Sequence, residues 1–407
     1  MPTHNMQANE RFRRLTELLG QWQALWRPLP FQHRRLPWAA DYPALYQTLL
    51  ALDDDAAARF EDNPFAAEAL ADWLPVAELE ALSRLPEGQA GEASHAALPN
   101  TWGDHIAGRK WRQLQAFVRC VPEDSGSLLE WCAGKGHLAR TLSRLYRRKV
   151  VGLEWQPALC AQGQALAERQ GAAVRLMEQD VLADDAARFL GPNHHVVALH
   201  ACGDLHVALL QQAARKGFAL TLAPCCYQRT AAAHYQPLSA LGRRLAEGDG
   251  HSRGLTLSRD DLALAVQETV TAPSAVSRQR ERANAWRLGF DLLQRDVRGV
   301  DDYLPVPSLA YGKMPADFAG FCRWAAEQKE LTLPPTIFAH KDWEAAGAAR
   351  LERVKRLELV RHLFRRPLEV WLLLDRLMLL EEAGFDATLA TFCPRELTPR
   401  NAVLRAT

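Results

Sequence analysis

Three acidic side chains occur where short apolar runs of β type come to an end. Glu130 lies in SLLEWC, Glu154 in KVVGLEW and Asp180 in VRLMEQDV. Because the carboxyl ends of parallel strands meet along one edge of a sheet, we expect the three carboxylates to surround one crevice. Carboxylates accept hydrogen bonds from ammonium, hydroxyl and amino groups. The spacing therefore predicts a site for a small polar ligand that carries several such donors.

A glycine-containing turn follows the first of these runs. It comprises Cys132, Ala133, Gly134, Lys135, Gly136, His137 and Leu138. Glycines at a strand-to-helix turn allow the backbone to approach a ligand closely. The turn lacks the GxxxxGK[ST] pattern of a Walker A phosphate loop. It does fit the G-x-G-x-x-[GA] dinucleotide pattern, and Glu154 lies 20 residues beyond Gly134, where an acid would bind a ribose.

S-adenosylmethionine is a second ligand that would suit the turn and the acids. Its ammonium group matches Glu130, its ribose diol matches Glu154 and its adenine amino group matches Asp180. Trp155 and Val181 flank the last two acids and complete the predicted cofactor site. A dinucleotide gives no task to Glu130 or Asp180, so S-adenosylmethionine is favoured. An NAD(P)-dependent oxidoreductase and a non-catalytic cofactor-binding module remain the alternatives.

Two further segments, LHACGDL and APCCYQ, place reactive side chains after the fourth and fifth apolar runs. Methyl transfer from a sulfonium needs an aligned nucleophile and, for a hydroxyl or thiol acceptor, a base. His200 and Asp204 are the candidate bases, and His200 is also expected to border the cofactor. Helix capping is the simpler explanation for Asp204. Cys225, Cys226 and Tyr227 complete the predicted catalytic group, with Tyr227 either stacking on a flat substrate or covering the sheet end.

The thiols of Cys202, Cys225 and Cys226 allow three interpretations: packing along the pocket, a nucleophilic or methyl-accepting thiol, and a zinc site. Packing is favoured, and no metal is predicted. Adjacent residues on a strand point to opposite faces, so Cys225 and Cys226 should not act together. No CxxC pair occurs in the chain.

The elements that must position these residues form an α/β pattern. Residues 1–104 predict a helical region, and residues 105–228 alternate apolar strands with helices, as in a doubly wound parallel sheet. Residues 229–340 break the alternation and are interpreted as an insertion after strand 5 that takes part in substrate recognition. Residues 341–407 supply a closing helix, with Gly384 as its C-terminal cap, and a pair of strands.

The segments EWCAGKGHLARTL, VVGLEWQP, LHACGDL and PCCYQ, in this order, resemble a branch of the class I S-adenosylmethionine-dependent methyltransferases. This branch is similar to the eukaryotic tRNA 2′-O-methyltransferases. The resemblance covers about residues 105–228 and 363–406, and includes the basic segment GRKWRQLQAF before the first motif. It implies a Rossmann-like sheet with an antiparallel C-terminal strand, and S-adenosylmethionine as cofactor. One departure is Cys132, which replaces the first glycine of the general class.

Composition sets few limits on the acceptor of the methyl group. The formal net charge of +1 over 407 residues gives no overall attraction to nucleic acid or membrane. Arginines cluster at residues 278–287 and 350–366, and together with the resemblance they favour RNA (tRNA or rRNA), with protein and small molecules as alternatives. Eight scattered cysteines and the lack of a signal-peptide pattern predict a cytoplasmic protein, with no membrane segment and an unassigned oligomeric state.

Overall fold

The computed structural model describes residues 2–88, 98, 100–104, 106–123, 126–248, 254–267, 274–309, 311–339 and 341–407. The chain divides into two compact units. The first comprises Met1–Gly20, Ala81–Glu268 and Arg365–Thr407, and the second comprises Gln21–Glu80 and Thr269–Phe364. The predicted cofactor and catalytic residues all belong to the first unit.

One seven-stranded sheet organises the first unit. Its strands are β1 (Ser127–Trp131), β2 (Val150–Glu154), β3 (Val174–Glu178), β4 (His194–Cys202), β5 (Ala219–Cys225), β6 (Ala387–Thr391) and β7 (Ala402–Ala406). Their order is β3-β2-β1-β4-β5-β7-β6. Strands β1 to β5 pair in parallel, whereas β7 runs antiparallel to both β5 and β6. The predicted doubly wound, Rossmann-like sheet with an antiparallel C-terminal strand is confirmed.

Helices connect the strands and account for most of the remaining described residues. They are α1 (Pro2–Gln21), α2 (Gln23–Trp26), α3 (Pro43–Ala51), α4 (Asp54–Asp62), α5 (Val76–Ser83), α6 (Gly108–Val118), α7 (His137–Tyr146), α8 (Pro157–Arg169), α9 (Asp204–Lys216), α10 (Ala240–Glu247), α11 (Arg259–Leu264), α12 (Ser274–Arg298), α13 (Phe318–Glu327) and α14 (Trp343–Glu382). The segment between β3 and β4 forms a 3-10 helix, Asp184–Phe189. Within the described ranges, none of the helices combines the length and apolar character needed to cross a bilayer.

The core of the first unit explains why these segments fold together. Apolar residues of β1, α6 and α7 pack together with residues in and next to the closing strand pair. Examples are Leu128 of β1, Phe117 of α6, Leu142 of α7, Phe392 just after β6 and Val403 of β7. Burying such apolar surface is the main favourable contribution to folding. The strand runs are apolar almost throughout because elements cover both faces of a parallel sheet.

Helix α14 ends as the sequence predicts. Gly384 adopts φ +90°, and its N–H donates to the carbonyl of Glu381. The N–H of Phe385 donates to the carbonyl of Leu380. These two bonds form a Schellman motif, which needs a residue with positive φ and therefore favours glycine.

Asp375 interrupts the most apolar stretch of α14 and is completely buried. Its Oδ2 accepts hydrogen bonds from Tyr235 Oη (2.6 Å) and Leu238 N (2.7 Å). Its Oδ1 accepts from the backbone N (3.0 Å) and Oγ (2.6 Å) of Ser239. A buried carboxylate is tolerated when its oxygens are fully hydrogen-bonded, so this residue attaches the segment after β5 to the closing helix.

We expect Asp375→Asn to destabilise the protein strongly. Each oxygen of Asp375 accepts two hydrogen bonds, so the NH₂ group of asparagine must face two donors whichever way the amide is turned. The buried groups left without a partner should lower the free energy of unfolding by about 3–5 kcal/mol. Urea unfolding followed by circular dichroism measures the loss. Asp386→Asn is the control, because Asp386 is exposed near the end of the same helix. Equal stability of the two variants would show that the Asp375 network does not hold this segment.

Candidate functional site

The candidate site lies at the carboxyl ends of the parallel strands. The strand order reverses between β1 and β4, and such a switch point opens a crevice at that edge of the sheet. Glu130 lies in β1, and Glu154 ends β2. Cys202 ends β4 and Cys225 ends β5. The sheet therefore brings the predicted cofactor acids and the predicted catalytic segments to one edge.

Glu154 holds the two loops of the crevice together. Its side chain is 6% exposed. Its Oε2 accepts a hydrogen bond from Gly134 N (2.9 Å), and its Oε1 accepts one from Gln156 N (3.0 Å). Because each carboxylate oxygen can accept more than one hydrogen bond, the group can anchor the turn and still receive donors from a ligand.

The turn after β1 uses three residues with left-handed backbone. Cys132, Gly134 and Gly136 have φ of 59°, 57° and 63°. Ala133 N donates to the carbonyl of Leu153 (2.8 Å), which fixes the turn against β2. A Cβ built on Gly134 would meet no atom within 4 Å, so space is open beside this backbone. The glycine that the general class carries at the position of Cys132 has a physical reason, since this φ favours glycine.

We expect Cys132→Gly to fold normally and Cys132→Val to be destabilised. Glycine adopts positive φ without strain, although it lowers stability through the entropy of the unfolded chain, so its net effect should stay within about 1 kcal/mol. A β-branched side chain at positive φ should cost about 2 kcal/mol or more. Urea unfolding of both variants beside Cys132→Ala tests the order. A valine variant as stable as the glycine variant would contradict the backbone argument.

Glu130 is buried beneath the turn, with 6% of its surface exposed. Its Oε2 accepts a hydrogen bond from Ala139 N (2.8 Å) in the first turn of α7. Burial raises the pKa of the carboxyl to about 8, the nearby charge of Glu154 contributes to the rise, and Lys110 and Arg140 oppose it. The site thus keeps an acidic group that a cation would stabilise in its charged form.

The other predicted cofactor residues lie around the same edge. Trp155 is 65% exposed although it is a large apolar side chain. Asp180 is exposed, and its Oδ1 accepts from Leu182 N (2.9 Å). Leu182, which is not among the predicted site residues, is itself 53% exposed. Trp155 and Leu182 follow neighbouring strands and provide apolar surface of the kind that a flat ring contacts.

The remaining residues of the turn differ in their surroundings. Lys135 is exposed, Leu138 is buried, and the ring of His137 bonds with the Arg140 guanidinium of the same helix. Val181 is buried beside Asp180. Leu138 and Val181 are therefore interior residues that support the site by packing and are not open to a ligand.

His200 occupies an irregularity in β4. The pairing of β4 with β5 shifts register between Leu199 and Ala201, and His200 has φ +63°. Its Nε2 donates a hydrogen bond to Gln113 Oε1 (3.0 Å). The direction of this bond follows from Gln113, because its amide nitrogen donates to the carbonyl of Leu397 and its oxygen therefore faces the imidazole. Burial, with Lys110 nearby, lowers the pKa of His200 to about 4. The imidazole is therefore neutral, with its orientation fixed by Gln113.

Gln113 joins the candidate site through its contact with His200, although it is not among the residues predicted from the sequence. It lies on α6, within the basic segment that the resemblance marked before the first motif. A lone glutamine in a helix carries no chemical signal, so only its tertiary contact with His200 reveals the role.

Asp204 begins α9 but does not cap it with its side chain. Its Oδ2 accepts from Ala231 N (2.7 Å), in the segment that follows β5. Its own N–H donates to the carbonyl of Arg229 (3.0 Å). The expectation of helix capping is corrected: Asp204 ties the loop after β4 to the loop after β5.

The three cysteines Cys202, Cys225 and Cys226 meet at the ends of β4 and β5. The Sγ atoms of all three lie within 4.8 Å of one another. The sequence-based argument that neighbouring cysteines point to opposite faces is wrong here, because β5 ends at Cys225 and Cys226 turns back with φ +49°. Hydrogen bonds from the thiols of Cys202 and Cys225 lower the pKa of Cys226, whereas hydrogen bonds with Cys202 and Cys226 raise the pKa of Cys225.

Tyr227 lies in the interior and is 3% exposed. The Arg376 guanidinium lies 4.8 Å from the centre of its ring, and the ring of His206 meets it edge-on at 5.8 Å. Arg376 also donates to His206 Nε2, while His206 Nδ1 donates to the carbonyl of Ala201 (3.0 Å). The expectation of a ring that stacks on a substrate is replaced by a structural role, in which Tyr227 covers the end of the sheet.

Comparison with known families finds a match to the part of the chain that forms this edge of the sheet. Residues 109–233 match the family model described as a methyltransferase domain. The match begins in α6 and ends beyond β5, so it includes the turn, Glu154, His200 and the three cysteines. This part of the first unit is therefore similar to a methyltransferase domain.

Solved structures of methyltransferases are more distantly similar. Precorrin-6y C5,15-methyltransferase from Geobacter metallireducens GS-15 is 14% identical, over 34% of this chain and 72% of that one, with a TM-score of 0.25. Magnesium protoporphyrin IX methyltransferase from Synechocystis PCC 6803 with bound SAH is 15% identical, over 40% and 72%, with a TM-score of 0.24. Coclaurine N-methyltransferase bound to N-methylheliamine and SAH is 13% identical, over 80% and 94%, with a TM-score of 0.27. The similarity to a methyltransferase domain rests on the family match, and not on these likenesses.

Proposed function

We propose that this chain transfers a methyl group from S-adenosylmethionine to a nucleophile. The observation that carries the proposal is the position of Glu154, a buried carboxylate at the end of β2 that binds the backbone of the glycine turn. The family match to a methyltransferase domain supports the same assignment. A dinucleotide would offer the buried acid Glu130 no cationic group, so the oxidoreductase alternative is less favoured.

The residues at the sheet edge suit this cofactor. Open space beside Gly134 admits a ligand against the backbone. Glu130 is a buried acid with a raised pKa, and a ligand cation beside it would lower that pKa again. The exposed Trp155 and Leu182 offer an apolar surface for a purine ring. Acid, backbone and apolar surface are the three features that a cationic nucleoside requires.

Each residue then has a defined task. Glu130 would hold the ammonium group, Glu154 the ribose hydroxyls and Asp180 the adenine amino group. When bound, the cofactor supplies an activated methyl group on a positively charged sulfur. His200, held neutral by burial and oriented by Gln113, is the candidate that accepts the proton of the acceptor through Nδ1. Asp204 binds Ala231 N and is the weaker candidate.

Ligand-dependent thermal stability tests the cofactor. We expect S-adenosylhomocysteine to raise the melting temperature while NAD does not. Tritium-methyl transfer into RNA, protein and small-molecule fractions from cells that lack the protein then tests catalysis. Label in a fraction supports the enzyme, and its absence from all three would leave a cofactor-binding module. No stabilisation by S-adenosylhomocysteine at millimolar concentration would overturn the cofactor assignment.

We also propose RNA as the methyl acceptor, and here the second unit supplies the supporting observation. A cavity of about 660 Å³ in that unit is lined by Arg34, Arg35, Arg295 and Arg353, against Asp301 and Asp302. Arg295 is paired with Asp291 and Asp301, and Arg34 also pairs with Asp301 (3.5 Å). The side chains of Arg34 and Arg35 are nevertheless exposed. The excess of guanidinium groups suits a phosphate backbone, and the free cysteines are compatible with a cytoplasmic location.

The basic stretch at residues 350–366 contributes less than its composition indicates. Arg356 pairs with Asp54 (2.6 Å), Arg361 with Glu358 (2.5 Å) and Arg366 with Glu369 (2.6 Å). Arg350 forms a buried pair with Asp291. At residues 278–287, Arg287 donates to the carbonyls of Val306 and Pro307. The proposed RNA contact therefore centres on the cavity rather than on these helix faces.

Charge reversal at the cavity tests the RNA proposal. We expect the double variant Arg34→Glu and Arg35→Glu to weaken binding of total tRNA at least tenfold at low salt and to reduce the salt dependence, since two phosphate contacts are lost. Arg323→Glu, an exposed position on α13 in the same unit, is the control. Unchanged binding in the double variant, or equal loss in the control, would overturn the cavity as the RNA site. Label found only in the protein or small-molecule fraction would overturn RNA itself.

A further inference from the structure

The three thiols at the ends of β4 and β5 form a compact group that methyl transfer does not require. Cys202 and Cys225 are register partners in the sheet, and their Sγ atoms lie 3.4 Å apart. Cys226 joins them through its left-handed backbone, and the three Sγ atoms lie within 4.8 Å of one another. A left-handed cysteine is strained, and such strain is maintained when the surrounding structure or a function requires it.

These distances match those of a metal–thiolate centre. Zinc–sulfur bonds of about 2.3 Å in a tetrahedron place sulfur atoms about 3.8 Å apart, within the range that the three thiols span. A disulfide would require about 2.05 Å between two sulfur atoms and would leave the third thiol outside the bond. All three cysteines are free. A metal ion is the ligand that uses all three thiols together.

The loops that carry the cysteines are held in place by backbone contacts. Gly203 N donates to the carbonyl of Cys225 (3.1 Å), and Arg229 N donates to the carbonyl of Cys226 (2.9 Å). A Cβ on Gly203 would lie 1.8 Å from the carbonyl oxygen of Arg229, so only glycine permits this approach. Asp204 adds its bond to Ala231 N. Ligands fixed in this way by their supporting loops are typical of a built metal site.

The charges around the cluster suit a soft divalent cation. Three thiolates and one divalent ion leave a net charge of −1, and the guanidinium groups of Arg229 and Arg400 act electrostatically on Cys226. Within the part of the chain that the structure describes, no fourth histidine, cysteine or acidic side chain joins the group. Zinc is usually four-coordinate, and a site with three protein ligands keeps one position for water or another exogenous ligand.

We propose that Cys202, Cys225 and Cys226 bind one zinc ion through three thiolates, with the fourth position open to an exogenous ligand. Binding forms three zinc–sulfur bonds and releases the three thiol protons to solvent, so no oxidant or reductant is needed. The three cysteines lie at the sheet edge that also carries Glu154 and the glycine turn. The open position would accept a water molecule, a thiolate or a heteroaromatic nitrogen.

Metal content of the full-length protein is the first test. We expect about one zinc per chain, by inductively coupled plasma mass spectrometry, in protein made in zinc-supplemented medium and purified anaerobically. Cys202→Ser and Cys226→Ser should each retain less than about a tenth of this amount, whereas Cys160→Ser, a half-buried cysteine outside the group, should retain all of it. Zinc absent from the wild-type protein, or retained equally by the three variants, would overturn the proposal.

Metal exchange tests the site without relying on variants that could misfold. Removing zinc with a chelator and adding Co²⁺ should produce sulfur-to-cobalt charge-transfer absorption of a tetrahedral centre, and adding imidazole should shift the visible bands. A cobalt spectrum that imidazole leaves unchanged would overturn the open position. A Cys202–Cys225 disulfide found by mass spectrometry in the anaerobically purified protein would overturn the resident metal. None of these measurements depends on methyl transfer, so the proposed function and this site can fail independently.

Discussion

Glu154→Ala should weaken the binding of S-adenosylhomocysteine by about two to three orders of magnitude. A hydrogen bond to a charged group contributes about 1.5–3 kcal/mol, and a ribose diol offers two donors to this carboxylate. The truncation also removes the oxygen that accepts the hydrogen bond from Gly134 N, so the glycine turn loses one of its bonds to β2 and keeps the bond from Ala133 N to Leu153 O. Isothermal titration calorimetry measures the affinity, and circular dichroism establishes that the variant is folded.

Glu154→Gln should be almost as damaging, although the side chain keeps its size. Both oxygens of Glu154 accept from backbone amides, of Gly134 and of Gln156. In either orientation of the glutamine amide, its NH₂ group therefore faces an N–H donor, of Gly134 or of Gln156, and one hydrogen bond is lost. Glu178→Ala is the matched control, because Glu178 ends the neighbouring strand in register with Glu154 and is exposed. Affinity within threefold of wild type for either Glu154 variant would refute the assigned role.

Glu130→Gln should stabilise the ligand-free protein at alkaline pH. Burial raises the pKa of Glu130 from 4.5 to about 8 in the folded chain. Between these values the folded state holds a proton that the unfolded state has released, so stability falls as pH rises. The stability that protonated Glu130 contributes is fully present below the pKa of this group in the unfolded chain. It is lost as pH rises through the pKa of the group in the folded chain. Its size is roughly a few kcal/mol.

Urea unfolding between pH 5 and 9 measures this effect. The wild-type protein should lose stability over this range, whereas Glu130→Gln should lack that component because glutamine cannot ionise and still accepts from Ala139 N. Glu178→Gln is the control and should follow wild type. Parallel pH profiles for wild type and Glu130→Gln would contradict the buried, protonated state of this acid.

The same substitution should impair cofactor binding. A ligand cation beside Glu130 favours its charged form, so binding at neutral pH should release about one proton in wild type and none in Glu130→Gln. Calorimetry in buffers of different ionisation enthalpy separates the two. Greater stability with weaker binding would identify Glu130 as an acid retained for function at the expense of stability.

The sheet was predictable from sequence because its signal is local and repeated. Five apolar runs alternate with helices, and the closing pair, β6 and β7, follows a helix that ends at a capping glycine. Parallel strands buried on both faces read as continuous apolar runs, so the existence of the strands and their parallel pairing follow from the pattern. The convergence of Glu130 and Glu154 follows from the same rule about strand ends.

The fine structure of the site was not predictable, because residue type does not reveal backbone conformation or tertiary partners. Gly134 and Gly136 announce positive φ, whereas Cys132, His200 and Cys226 adopt it without any such signal. The turn at Cys226 brings three thiols together that strand geometry would separate. The burial of Tyr227 depends on Arg376, which is about 150 positions away in the sequence.

The position of β7 has a consequence for any attempt to isolate the segment that matches the methyltransferase model. β7 fills the place between β5 and β6, so a fragment ending soon after β5 would carry the glycine turn, Glu154 and all three thiols with β5 as an open edge. Unpaired backbone on an apolar edge strand promotes self-association. Such a fragment should aggregate even though its ligand-binding residues are intact, and co-expression with a piece that carries residues 365–407 should restore solubility.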